Sequence, residues 1–150
     1  MAFKSKMVGH DAVMRRLREI APEAEKEVAV AQIEAAEELA GAIEDRAPIG
    51  QGPDAGDYRA SIRGGRIADN PGADVFGQRK TKDPNATGVF ANFKWRWIEF
   101  GTRERFRKNG ASSGVMPRQP HIYPTFREHR KAIRRKVARA VNRALRKTRS

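Results

Sequence analysis

Apolar and polar positions along the chain alternate in ways that predict helices at both ends and strands between them. Val13, Leu17 and Ile20 recur at spacings of four and three around Arg15, Arg16 and Arg18, which predicts a short amphipathic helix over Asp11 to Ala21 with Asp11 as N-cap. Pro22 separates it from the next segment and suits the first turn of a new helix. From Glu23 to Arg46, Ala29, Ile33, Ala36, Ala40 and Ile43 share one stripe with Leu39 beside it, and acids fill the other face. A stripe made mostly of alanine lets a neighbour approach closely. Gly41 costs about 1 kcal/mol of helix propensity relative to alanine, so it marks a close contact or a bend. Ala47-Pro48 ends this helix.

Ile49 to Gly56 reads as loop, with three glycines and a proline in eight residues. Tyr58 to Arg63 and Gly64 to Ile67 form a polar helical turn or a first strand, with Tyr58 and Ile62 facing inward. Pro71-Gly72 is a turn, and Asp74 to Gln78 and Thr87 to Ala91 read as two strands. The tip between them, Arg79 to Ala86, turns at Asp83-Pro84-Asn85; its basic run Arg79-Lys80-Thr81-Lys82 is either a solvated loop or a contact surface. The next block, Trp95-Arg96-Trp97-Ile98-Glu99-Phe100-Gly101-Thr102, holds both tryptophans and a single carboxylate. A carboxylate among aromatics stays ionised only if N–H groups or a cation satisfy it. The block is thus a core strand or helical turn with an incidental glutamate, or a packed corner. In the second reading Glu99 and Thr102 fix the adjoining loop, and Glu99 caps backbone N–H groups or pairs with an arginine.

Arg103 to Gly114 is basic and carries glycines and serines, which reads as a mobile loop. Three prolines between Met116 and Pro124 hold the backbone extended, as an edge strand or a strap across the fold. Pro124 then opens a last helix, Thr125 to about Arg146, with Phe126, Ile133, Val137, Val141 and Leu145 along a narrow stripe. At 150 residues the chain fits one domain, 1–150, with a basic C-terminal helix over about 125–147.

Charge sharpens this picture. The net charge is +13, yet residues 23–46 carry eight acids and two bases while residues 125–150 carry eleven bases and one acid. One acidic and one basic helix can pair within a subunit, pair between subunits, or present the basic one to a polyanion. Arg130, Arg134, Arg135, Arg139, Arg143 and Arg146 are the candidate contacts to DNA or to an acidic partner. Such contacts would be salt-sensitive and indifferent to base sequence, since no zinc finger, recognition helix or aromatic RNA-binding pair accompanies them.

The absence of cysteine excludes disulfides, thiolate nucleophiles and cysteine-ligated zinc. No leader-like h-region and no run of 18 apolar residues is present, so the expectation is a soluble protein made in a cytoplasm, without a membrane partner. His10, His121 and His129 lack metal-ligand spacing, and no phosphate-cradling P-loop frame surrounds Gly50, Gly52, Gly64 or Gly65. Asp54, Asp57, Glu99 and Glu104 are the carboxylates from which an acid/base pair could be drawn, but a glycine-rich loop positions the first two poorly. No enzyme activity, cofactor or metal is expected.

Three blocks resemble a known family. They are Ala47-Pro48-Ile49-Gly50 through Gly56-Asp57-Tyr58-Arg59-Ala60-Ser61-Ile62, then Trp97-Ile98-Glu99-Phe100-Gly101-Thr102, then Met116 through Phe126. Together they are similar to the small tail-component proteins of Hong-Kong-97-type and lambda-like long-tailed phages, also called neck, tail-completion or head-tail joining proteins. Tyr58 where leucine is usual, the longer loop at Gln51 to Ala55 and the basic Arg103–Gly114 insertion depart from the pattern. The resemblance implies an α+β subunit: a small, mostly antiparallel sheet flanked by a long N-terminal helix and a C-terminal helix. It also implies a homo-oligomeric ring, a hexamer or dodecamer, in the virion at the head-tail junction, between connector or stopper and tail-tube proteins. Genomic DNA would thread its channel. A ring needs two different faces to meet. The expected faces are the acidic side of the long helix, with Glu34, Glu37 and Glu38, and basic residues either of the last helix or of the Arg103–Lys108 stretch, namely Arg103, Arg105, Arg107 and Lys108. Trp95, Trp97, Glu99, Phe100, Gly101 and Thr102 form the expected structural corner.

Overall fold

The computed structural model describes residues 9–76 and 82–149. Helix α1 spans His10–Ile20 and α2 spans Pro22–Arg46, with Pro22 at the first helical turn where its missing N–H costs nothing. A short α3 (Asp57–Ala60) precedes β1 (Arg63–Arg66); β2 (Asp74–Val75) and β3 (Thr87–Ala91) come next, then α4 (Trp95–Phe100). The hairpin β4 (Arg105–Phe106) and β5 (Ser112–Gly114) leads through an extended segment to the 27-residue α5 (Tyr123–Arg149). The fold is α+β. Its main sheet has the order β1-β3-β2, antiparallel throughout, with Gly64 opposite Val89 and Val75 opposite Phe90. The most apolar strand, β3, takes the centre, where both its edges are paired.

Helix α2 is the spine. Its second half packs Leu39, Ala40, Ile43 and Ala47 against Ile62, Val89, Ala91, Trp95 and Ile122, with Tyr58, Phe76, Phe126 and Ile133 around them. Its first half packs Ala24, Val28 and Ala31 against Met14 of α1 and Val137, Ala140 and Ala144 of α5. Burial therefore extends round α2 beyond the expected stripe, to Ala24, Val28, Ala31, Gln32 and Ala35, because α5 covers one side and the sheet another. Helices α2 and α5 run antiparallel, marked by ion pairs from Arg46 to Glu128 (2.7 Å), from Lys136 to Glu34 (3.4 Å) and Glu38, and from Lys147 to Glu27. Each exposed pair is worth no more than about 1 kcal/mol, so the ladder selects register more than it adds stability.

Several local expectations change. Helix α1 starts at His10, so Asp11 lies inside its first turn rather than at the N-cap. Met14, not Val13, is its buried apolar residue: Met14 is 1% exposed and Val13 42%. Leu17 and Ile20 have side chains outside the described residues, as do Gln78 and the tip residues Arg79, Lys80 and Thr81 altogether. Gly41 marks no close contact, since a Cβ there would meet nothing within 4 Å. The close approach is at Gly64, where a Cβ would stand 2.4 Å from the Ala36 carbonyl oxygen, so strand and helix backbones touch across the alanine stripe. On α5, Ala140 and Ala144 are buried in place of Leu145, because only small side chains fit where α5 meets α1 and α2.

The Arg103–Gly114 stretch is a hairpin rather than a mobile loop. Asn109-Gly110 turns it, with the Arg107 N–H donating to the Ala111 carbonyl at 2.8 Å and the Gly110 N–H to the Arg107 carbonyl at 2.9 Å. Met116 to Pro120 is a strap, not an edge strand. Gly64→Ala is expected to destabilise the protein by about 2–3 kcal/mol in urea unfolding, since a backbone contact cannot yield as a flexible side chain would; Gly41→Ala should be neutral or stabilising by up to about 1 kcal/mol.

Candidate functional site

The chemistry of the aromatic block lies in how α4 meets the start of α5. Glu99 is 2% exposed on the inner side of α4. Its Oε2 accepts the backbone N–H groups of His121 at 2.8 Å and Ile122 at 3.0 Å, and its Oε1 accepts that of Tyr123 at 3.1 Å. A helix start leaves its first N–H groups without intrahelical partners, and Pro124, next in line, has none to satisfy. Glu99 thus caps α5 from a separate element, at the end where the helix dipole favours a negative charge.

His121 extends the arrangement. Its Nδ1 lies 2.8 Å from the Gln119 carbonyl oxygen and 3.3 Å from Glu99 Oε2; both can only accept, so Nδ1 carries a proton. Its Nε2 then accepts from the Tyr58 hydroxyl at 2.7 Å. Thr125 Oγ1 donates to the His121 carbonyl at 2.7 Å and accepts from Arg46 at 3.2 Å, joining α2 to the same turn. Burial by itself pushes the Glu99 carboxyl up, but hydrogen bonds from the His121 ring and the three backbone N–H groups outweigh it and bring the carboxyl from 4.5 down to about 2. Burial first, and then the Glu99 charge, raise the Tyr58 hydroxyl; the same two causes raise Tyr123, opposed by Arg96.

The rest of the block grips the strap. The Ile98 carbonyl accepts the Gln119 N–H at 2.8 Å. Thr102 donates its N–H to the Met116 carbonyl at 3.0 Å, and its Oγ1 accepts the Met116 N–H at 3.0 Å. Between them Gly101 sits at φ 71°, ψ 174°, a conformation essentially confined to glycine. A Cβ there would also stand 3.1 Å from the Met116 oxygen and the Arg118 nitrogen. Residues 98–102 therefore form a clip: carbonyl, carboxylate, glycine and threonine each hold a different point of residues 116–123.

The two indoles part company. Trp95 is 4% exposed and packs edge-on against Phe76 at 5.0 Å, whereas Trp97 is 38% and Phe100 53% exposed on the outer side of α4. Phe93 stacks edge-on against Trp97 at 5.5 Å, and the Arg105 guanidinium lies 5.1 Å from the Trp97 ring centre, joining hairpin to helix. Phe100 faces Tyr123 at 5.6 Å.

Arg103, Arg105, Arg107 and Lys108 are exposed on the hairpin and its approach. Glu34 and Glu38 face Lys136 within the chain, while Glu37 is exposed. Arg130, Arg134, Arg135, Arg139, Arg143 and Arg146 all lie exposed on α5, and Arg139 donates to the Arg135 carbonyl at 3.3 Å. Among the described residues none of these six meets a carboxylate. The acidic and basic helices thus do pair within the subunit, through Lys136, Lys147 and Glu128, and leave the arginine face outward. Asp54, Asp57 and Glu104 are exposed while Glu99 is buried, and no group of three or more His, Asp or Glu is gathered for a metal among the described residues. No helix among them is long and apolar enough to cross a membrane. Sequence reasoning missed His121 as a partner of Glu99 and Tyr58 as the group behind it, because the cation nearest in sequence is Arg96 while His121 lies 22 residues away.

In this α+β chain the buried Glu99 carboxylate fastens the start of α5 to α4. Residues 11–101, well over half of the 150, match the family model described as "Bacteriophage HK97-gp10, putative tail-component", and the chain belongs to this family of phage tail components. The match runs from α1 through α4 to the clip glycine. No curated protein and no solved structure matches the chain.

Because the Glu99 carboxyl is lower in the folded chain than in the unfolded one, it contributes stability above about pH 4.5 that is lost as the pH falls toward 2. That loss is expected to reach about 3 kcal/mol in urea unfolding between pH 6 and pH 2. Glu99→Gln should be less stable than the parent by about 2–4 kcal/mol at pH 7, with the gap closing at low pH. Gly101→Ala should destabilise at all pH values, by about 2 kcal/mol or more.

Proposed function

We propose that this protein is a structural virion component of the head-tail junction, of neck, tail-completion or tail-terminator type. It assembles as one domain into a ring that joins the tail to the capsid connector and lets DNA pass, without catalysis. Membership of the tail-component family carries this reading. The clip supports it, because the buried carboxylate and imidazole are spent on holding backbone rather than presented to a cleft. Its partners are then copies of itself and neighbouring connector, stopper and tail-tube proteins. The acidic side of α2 with Glu34, Glu37 and Glu38 and the basic hairpin residues Arg103, Arg105, Arg107 and Lys108 supply the faces between subunits.

A second reading rests on the outward arginines of α5. Arg130, Arg134, Arg135, Arg139, Arg143 and Arg146 lie within 17 positions of one helix, whose 16 steps at 1.5 Å each give about 24 Å of cationic surface. Such a surface suits contact with DNA phosphates, either in a channel lumen or as a nonspecific DNA-binding protein.

Mass spectrometry of purified virions and of isolated tails should find the chain in both, and infection without it should yield filled heads and tails that do not join. Its absence from finished particles would make it an assembly factor instead. For the second reading, DNA affinity measured against salt should lose about one unit of slope for each of Arg130, Arg134, Arg135 and Arg143 replaced by glutamine. An unchanged slope would exclude DNA as a partner of this helix.

A further inference from the structure

The outer side of α4 is a surface that the fold builds and does not cover. Trp97 faces away from the side that buries Trp95, Ile98 and Glu99, Phe93 at 57% exposure packs edge-on against it, and Phe100, 53% exposed, lies at the border where it meets Trp95 and Tyr123. Arg105 ties the hairpin to it over the Trp97 ring, and Phe106, 65% exposed, stands next in that strand. Phe93, Trp97 and Phe100 leave on the order of 300 Å² in contact with water, taking roughly 150–250 Å² for each ring residue. A patch of that size is about a third of what one partner contributes to a stable interface, near 800 Å². The hairpin beside it is cationic: Arg103, Arg105, Arg107 and Lys108 are exposed there, and the one acid, Glu104, is engaged by the Ser112 hydroxyl at 2.9 Å. Whatever covers the patch is acidic with an apolar centre.

The chain itself offers such a face. On α2, Glu23, Val30, Glu34, Glu37 and Gly41 recur at spacings of seven, four, three and four along the side turned away from the core. Val30 is 53% exposed at its middle, and at Gly41 an incoming side chain meets open space. An aromatic knob beside a cationic hairpin and a carboxylate-rimmed valine and glycine are complementary in shape class and in charge. Being different faces, they pair head to tail and so generate a ring or a filament.

Resting on the structural role proposed above and naming its contact, we infer that the Phe93–Trp97–Phe100 face with the β4–β5 hairpin seats on the outer face of α2 of a second copy of this chain. Trp97 and Phe106 anchor the contact; Arg107 and Glu37, which hold no side-chain partner within the described chain, pair across it. The clip then serves the interface indirectly, because it holds α4 rigid while α4 displays its aromatic side outward.

Sedimentation of the full-length protein over a concentration series tests this. The parent should self-associate, more weakly as salt is raised. Arg107→Glu and Glu37→Arg should each weaken association about tenfold. An equimolar mixture of the two variants should restore it, since alternating copies match charge at every contact. Phe106→Ser, at a surface position that leaves the core intact, should weaken it at every salt concentration. A parent that stays monomeric, or variants that associate as it does, or a mixture that fails to restore association, would overturn the contact. Incorporation of a monomeric protein into tails would leave the structural role standing and show that another virion protein covers the patch.

Discussion

The structure depends on one buried negative charge. Glu99 has left water almost completely, a transfer that would be prohibitive for a bare carboxylate, and its cost is met by three backbone N–H groups and an imidazole. The same hydrogen bonds complete the N-terminus of a 27-residue helix that begins with no capping side chain of its own beyond its proline. Two local deficits, an unsolvated anion and unsatisfied helix donors, cancel by meeting. Neither α4 nor α5 has a satisfactory end without the other.

This junction explains why the aromatic block and the proline-rich segment belong together despite the hairpin between them. Prolines keep Met116 to Pro120 extended and short of donors, so the N–H groups left on residues 116–123, six in all, look for partners outside the segment. Residues 98–102 answer five of them, at Met116, Gln119, His121, Ile122 and Tyr123. Gly101 lets the two backbones run side by side, where a Cβ would crowd the Met116 oxygen and Arg118 nitrogen at 3.1 Å.

Helix α2 performs a comparable service for the rest of the chain. Alanine on its inner side lets β1 approach until the Gly64 and Ala36 backbones touch, and lets α5 lie close enough for Ala140 and Ala144 to be buried. Its acids then fall within reach of Lys136 and Lys147. Close packing uses up the lysines nearest the seam and turns the α5 arginines outward, so the same helix pair that holds the subunit together determines which charges are left for partners. Membership of a phage tail-component family agrees with a chain whose outward faces carry more of its chemistry than its interior.

Periodicity and proline placement were enough to set out the two long helices, the central strand Thr87–Ala91 and the extended segment before α5, because each is decided by residues next to one another in the chain. The resemblance carried by Glu99-Phe100-Gly101-Thr102 indicated the fold class and pointed to a tail component for the same reason, being a contiguous motif. Three things waited for tertiary structure. The hairpin was readable in Asn109-Gly110, but its basic composition concealed it. The partners of Glu99 lie 22 to 24 residues away, and nothing local distinguishes His121 from the other two histidines. Which tryptophan is buried depends on the side of α4 that meets the sheet. Local patterns state what a segment can form; which of its faces is covered, and by what, is decided only when distant segments compete for the same space.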